Sequence, residues 1–168
     1  MITIRRARPD DLEFLFDLVN HNDVEPFLGG RAVLDRASLL EEIRRSAAES
    51  QDYGRFVIEV DGEPAGAMGF EVANRPSKIA QLERLAVHPD FRGKGVANEA
   101  ARLLQRQLLL ELGYHRLQLE IYAFNERALR HAERSGFVRE GVRRKAYLRH
   151  GEWVDAVLYS FLREDLDE

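Results

Sequence analysis

Ile2-Thr3-Ile4-Arg5-Arg6-Ala7 alternates apolar and polar residues, the period of a half-buried strand. Pro9-Asp10-Asp11 then opens a helix, with proline suited to its first turn and two acids to its positive end. Leu12, Leu15, Phe16 and Val19 follow at helical spacing. Gly29-Gly30 predicts a break, after which Asp35 or Ser38 caps a second helix running to about Ser50. Arg55 to Val60 reads as a strand, Asp61-Gly62 as a tight turn, and Ala65 to Val72 as the returning strand.

The second half alternates strands with helices. Ile79 to Val87 is a strand closed by His88-Pro89. Arg92-Gly93-Lys94-Gly95 leads into a long helix from about Val96 to Leu112, which Gly113 ends. Arg116 to Tyr122 is a strand and Asn125 to Ser135 a short helix ended by Gly136. Phe137 to Tyr147 and Trp153 to Phe161 are two more strands, joined by a turn at His150-Gly151. The predicted order is β-α-α-β-β-β-α-β-α-β-β, a mixed α/β domain with no repeat and no linker.

Composition narrows the function. The 168 residues suit one domain, residues 1–168, with 45% apolar and 32% charged positions. A net charge of −4 argues against a general nucleic-acid coat. There is no cysteine, which removes thiolate nucleophiles, disulfides and Cys-built metal sites. Five scattered histidines form no metal-ligand spacing, so no metal is expected. No apolar run is long enough for a signal peptide or a membrane span, so the expected setting is cytoplasmic, without a membrane partner.

The chemistry concentrates between Leu85 and Leu112. A glycine-rich turn running straight into a helix presents unpaired N–H groups and the positive end of the helix dipole, which together favour a phosphate. Gly93 and Gly95 allow close approach of the backbone, and Arg92 and Lys94 add charge. Gly93-Lys94-Gly95-Val96-Ala97-Asn98 satisfies neither the triphosphatase loop nor the dinucleotide fingerprint.

It does fit Arg/Gln-x-x-Gly-x-Gly/Ala through Arg92, Gly95 and Ala97, after Leu85-Ala86-Val87-His88-Pro89. Downstream, Asn125-Glu126-Arg127-Ala128-Leu129 and Glu133-Arg134-Ser135-Gly136-Phe137 form a second motif. With both in order, the whole chain resembles the GNAT superfamily of acyl-CoA-dependent N-acyltransferases. The C-terminal stretch from Lys145 to Tyr159 resembles the subgroup that includes ribosomal-protein N-terminal acetyltransferases.

That resemblance implies a mostly antiparallel seven-stranded sheet flanked by about four helices. It implies acetyl-CoA as cosubstrate, its pyrophosphate on the N–H groups of Arg92, Gly93, Lys94, Gly95, Val96 and Ala97. The pantetheine arm would pair with the strand end at Leu85 and Val87, Asn125 would bond the same arm, and an N–H near Val87 would face the acetyl carbonyl. The implied reaction is direct attack of a primary amine, from a small molecule or a peptide N-terminus, in a ternary complex. A homodimer is compatible with the resemblance.

An amine is protonated at neutral pH and needs a base. Strand alternation puts Glu83 on the same face as Leu85, near the thioester, as the expected base; the other reading is a half-buried glutamate paired with Arg84 or Arg116. The family's acid positions fall on Ala128 and Ala132. Tyr147 or Tyr122 is then either the substitute acid or a packing residue, and the thiolate can also leave unaided. Tyr147 and Trp153 are also expected near the acceptor. The alternative function is a non-catalytic acetyl-CoA sensor or partner-binding module, which the two alanines favour.

Overall fold

In a computed structural model, residues 1–28 and 34–166 are described; the expected break at Gly29-Gly30 lies outside them. The elements are β1 (Ile2–Arg6), α1 (Leu12–Val19), α2 (Arg36–Ala48), β2 (Tyr53–Val60), β3 (Glu63–Asn74), β4 (Ile79–Val87), α3 (Val96–Arg106), β5 (Arg116–Tyr122), α4 (Glu126–Arg134), β6 (Val138–Arg149) and β7 (Glu152–Leu162). Asp35, not Ser38, caps α2, its carboxylate accepting the Ser38 N–H at 2.7 Å. The long helix expected to Leu112 is α-helical only to Arg106 and continues as a π turn over Gln107–Glu111.

The strands form one seven-stranded sheet in the order β1-β2-β3-β4-β5-β7-β6. Every neighbouring pair is antiparallel except β4 and β5. Those two are parallel and pair over only three positions, Ile79↔Arg116, Ala80↔Leu117 and Gln81↔Gln118. Beyond them each strand keeps its outer neighbour, β3 for β4 and β7 for β5, and loses the inner one. The sheet therefore opens in the middle.

Period-two alternation sorts the strands' side chains into two layers. Phe56, Ile58, Met68, Phe70, Ala80 and Leu117 pack with Val96, Ala100, Leu104 and Leu108 of the α3 side. Val57 on the other face packs with Leu15 and Ile43 of α1 and α2. At about 25 cal/mol per Å² of buried apolar surface, these layers are the main source of stability.

Candidate active site

β4 carries a bulge where the sheet opens. The register runs Gly69↔Glu83 and then Ala67↔Ala86, so three residue steps on β4 face two on β3. Arg84 absorbs the extra residue at φ +55°, and its guanidinium turns to Glu42 on α2. Gly66 makes room from below: a Cβ there would lie 2.4 Å from the Ala86 carbonyl oxygen. The bulge corrects the expected alternation. Glu83 points to Arg55 on the α1/α2 side, its carboxylate accepting from Nη2 at 3.0 Å, while Leu85 lines the cleft described next.

That cleft, about 570 Å³, is bounded by the end of β4, the start of α3, one face of α4 and the segment Asp23–Leu28. It gathers Leu85, Val87, Arg92, Gly93, Gly95, Val96, Ala97 and Asn125 from the sequence-predicted set. Lys94 stays outside its lining, with the ammonium 5.7 Å from the Phe91 ring. Leu85 is 37% exposed, unusual for a leucine at a strand end and explained by its place on the cleft wall.

The turn is shaped by two left-handed glycines, Gly93 at φ +80° and Gly95 at φ +72°, the latter being the N-cap of α3. The first helical bond runs from the Glu99 N–H to the Gly95 carbonyl at 3.1 Å. Among the described residues, no backbone acceptor meets the N–H groups of residues 93 to 98, so a row of donors sits at a helix N-terminus. An extended anion such as a pyrophosphate fits that row. Arg92 does something other than expected. Its Nε donates to the Val87 carbonyl at 3.1 Å and its Nη2 to the Asp23 carbonyl at 3.0 Å, bracing the turn against both cleft walls.

Asn125 caps α4, its Oδ1 accepting the Ala128 N–H at 3.2 Å, and keeps its amide at the cleft. Five α4 residues line the same wall: Glu126 and Ala128 in the first turn, and Arg127, His131 and Arg134 spaced i, i+4 and i+7. No ion pair forms at Arg127 or Arg134 among the described residues. Burial and the neighbouring Arg134 hold His131 below the usual imidazole range. The basic stripe was legible only as composition, nine basic residues against four acids between Arg116 and His150. The segment Asp23–Leu28 carried no signal at all.

Tyr147 lies elsewhere, on the α1/α2 face of the opening. A bulge in β6 between Arg143 and Tyr147, closed by the Lys145 N–H on Asp155 Oδ1 at 2.7 Å, turns its ring inward. Its hydroxyl donates to Glu120 on β5. Burial first, and this carboxylate second, push the phenol up to about 12. Tyr122 is buried beneath it and Trp153, at the hairpin tip, is 61% exposed and away from the cleft.

The opening in the sheet thus brings together a free strand edge, an N–H-lined turn and a capping asparagine on the facing helix. A family model described as an acetyltransferase (GNAT) domain matches residues 1–138. The chain belongs to the GNAT acetyltransferase family. A curated relative, an uncharacterized SPbeta prophage-derived N-acetyltransferase of Bacillus subtilis, is 25% identical over 167 residues, covering 99% of this chain and 92% of the relative. The spermidine N(1)-acetyltransferase of Escherichia coli is 26% identical over 162 residues, covering 93% and 83%. Among solved structures, a spermidine N-acetyltransferase from Vibrio cholerae in complex with CoA and spermine superposes with TM-score 0.87 at 21% identity, over 98% of this chain and 96% of that one. The mixed seven-stranded fold is thus the GNAT fold, and the chemistry is acetyl transfer from acetyl-CoA to an amine. Among the described residues, no cluster has the makings of a metal site and no helix is long and apolar enough to cross a membrane.

Proposed function

We propose that this GNAT enzyme acetylates a primary amine, on a small molecule or a peptide N-terminus, by direct attack within a ternary complex. The pyrophosphate of acetyl-CoA lies on the donor row from Gly93 to Asn98, the Arg92 N–H expected to join it being taken by the Pro89 carbonyl at 3.3 Å. The pantetheine arm lies along Leu85 and Val87 with Asn125 bonding it, and the thioester at the opening between β4 and β5. The observation that carries this reading is the free edge of β4 ending at a turn of unpaired N–H groups. An amide-bearing arm satisfies such an edge as an added strand does.

The amine arrives from the α1/α2 face and loses a proton to a carboxylate there, Glu83 being one such group. The same proposal places the enzyme in the cytoplasm. It includes a homodimer, supported by exposed Val138, Val142 and Trp153 on the outer hairpin and decided by sedimentation velocity.

Incubation with acetyl-CoA and a panel of polyamines, amino acids and peptides, read by thiol release and mass spectrometry of products, tests the function. Turnover is expected with at least one amine class. Tight CoA binding without thiol release from any of them would instead support the sensor reading, which Ala128 and Ala132 favour by leaving both family acid positions empty of a proton donor. Gly95→Asp is expected to abolish CoA binding: it strains a left-handed position and sets a carboxylate at the donor row. Wild-type affinity in that variant, measured by calorimetry, would remove the pyrophosphate from this turn.

A further inference from the structure

Acetyl transfer to an amine leaves open which group takes the ammonium proton, and the β4–β5 register narrows the choice. The last pair, Gln81↔Gln118, is bonded through its side chains, Gln118 Nε2 donating to Gln81 Oε1 at 3.0 Å. Both therefore lie on one face. Two residues further along each strand stand Glu83 and Glu120, one on each lip of the opening and on that same face.

The two carboxylates are not equivalent. Glu83 is bound by Arg55, whose side chain is 9% exposed and also holds Glu42, and Glu42 in turn takes Arg84. Two guanidiniums and two carboxylates close on each other there. Glu120 has a neutral partner, the Tyr147 hydroxyl, and a cationic one, Arg143 at 3.3 Å, whose side chain is 58% exposed. A carboxylate offers about four lone-pair sites, so Glu120 keeps capacity for another donor. The exposed Arg143 contact is weak and readily exchanged.

Aromatic rings extend from this carboxylate. Tyr147 meets Tyr122 edge to face at 5.9 Å, Tyr122 stacks on Phe124 at 5.4 Å, and Phe124 lies 6.0 Å from Phe27. Phe27 also lines the acetyl-CoA cleft, so the wall joins the two sides of the opening. A carboxylate at the end of an aromatic wall suits an alkylammonium: the oxygen takes the charge and the exposed Phe124 and Phe27 rings meet the methylenes, while the buried Tyr122 ring already carries the Arg149 guanidinium at 5.5 Å.

We propose that Glu120 receives the acceptor's ammonium and takes its proton, with Tyr147 as the positioning residue that fixes the carboxylate. The proposal rests on the acetyl-transfer reading above. One ammonium proton passes to Glu120, and the freed nitrogen lone pair forms the C–N bond to the thioester carbonyl carbon. The C–S bond breaks with its electron pair left on sulfur. The second nitrogen proton neutralises that thiolate, and Glu120 returns its proton to solvent.

The test compares wild type, Glu120→Gln, Glu120→Asp, Tyr147→Phe and Glu83→Gln on the best amine from the panel, with acetyl-CoA affinity measured alongside. General-base catalysis is worth roughly 10²–10⁴-fold, so Glu120→Gln should lose at least about tenfold in kcat/KM for the amine at neutral pH. Acetyl-CoA affinity should not change. The deficit should shrink as pH rises from about 7 to about 10, because free amine then forms in solution without help. A packing defect would give a pH-independent deficit. Glu120→Asp should recover part of the loss, and Tyr147→Phe should lose less than Glu120→Gln while raising KM for the amine. Should Glu120→Gln fail to fold, the Asp and Tyr147→Phe variants carry the same pH comparison. Equal rates in Glu120→Gln and wild type, or a large loss only in Glu83→Gln, overturn the proposal and leave acetyl transfer standing. A wild type that acetylates no amine overturns both.

Discussion

On α4 the row Arg127, His131 and Arg134 is where a single side chain is most informative about the bound state. His131 is held neutral by burial and by Arg134. An imidazole in the unfolded chain titrates near 6.5, so below neutrality the unfolded protein binds the extra proton more readily. Stability should therefore fall as pH drops through that value, and His131→Gln should show a flatter decline between about pH 7 and about pH 5.5 in urea unfolding. A phosphate in the cleft reverses the preference, because an adjacent anion favours the imidazolium. Wild-type CoA affinity should consequently rise on acidification, and the variant's should not. Identical pH slopes for the two proteins would show that another group titrates. The glycine turn was legible because its residue types are unusual in themselves. The stripe was not: its spacing matters only once α4 is known to turn that face to the cleft, and Arg130 and Arg139 look the same in the sequence.

At the scale of elements, the expectations that depended on periodicity held and those that depended on an unbroken period did not. All seven strands and the cap at Asp35 follow from alternation and capping chemistry. The bulge in β4 does not, because its extra residue is an arginine at positive φ rather than a glycine or asparagine. What holds Arg84 there is remote in sequence, the α2 carboxylate of Glu42. Glu42 sits between Arg84 and Arg55, with both guanidiniums largely buried. Removing it in Glu42→Ala leaves the Arg84 guanidinium without a carboxylate and Arg55 with Glu83 alone, and breaking a buried pair in this way costs on the order of 3 kcal/mol. Chemical denaturation reads that loss directly. A change as small as that of an exposed pair, under about 1 kcal/mol, would mean the bulge is held by β3 alone. The Glu42→Ala enzyme should also turn over more slowly, since the bulge sets the position of Leu85 on the cleft wall.

The molecule as a whole is two half-sheets, β1–β4 and β5–β7, joined along their common seam by three residue pairs. Among the described residues, everything past Gln81 on one side and Gln118 on the other has an inner edge with no strand to meet it. Such a seam is a weak line in an otherwise continuous ladder, and local opening is cheapest where backbone bonds are fewest. On the proposed reading, a ligand laid into it along the β4 edge acts as a stitch, supplying a partner that the chain itself withholds. Hydrogen exchange should report this as newly slowed amides at Leu85 to Val87 on acetyl-CoA addition, accompanied by slower exchange in β5 and β7, which lie across the seam. Protection confined to the glycine turn would mean that only the pyrophosphate is held and the arm hangs free. Where slowing does reach both halves, the cosubstrate counts as the eighth strand of its own enzyme, and the protein finishes folding each time it loads.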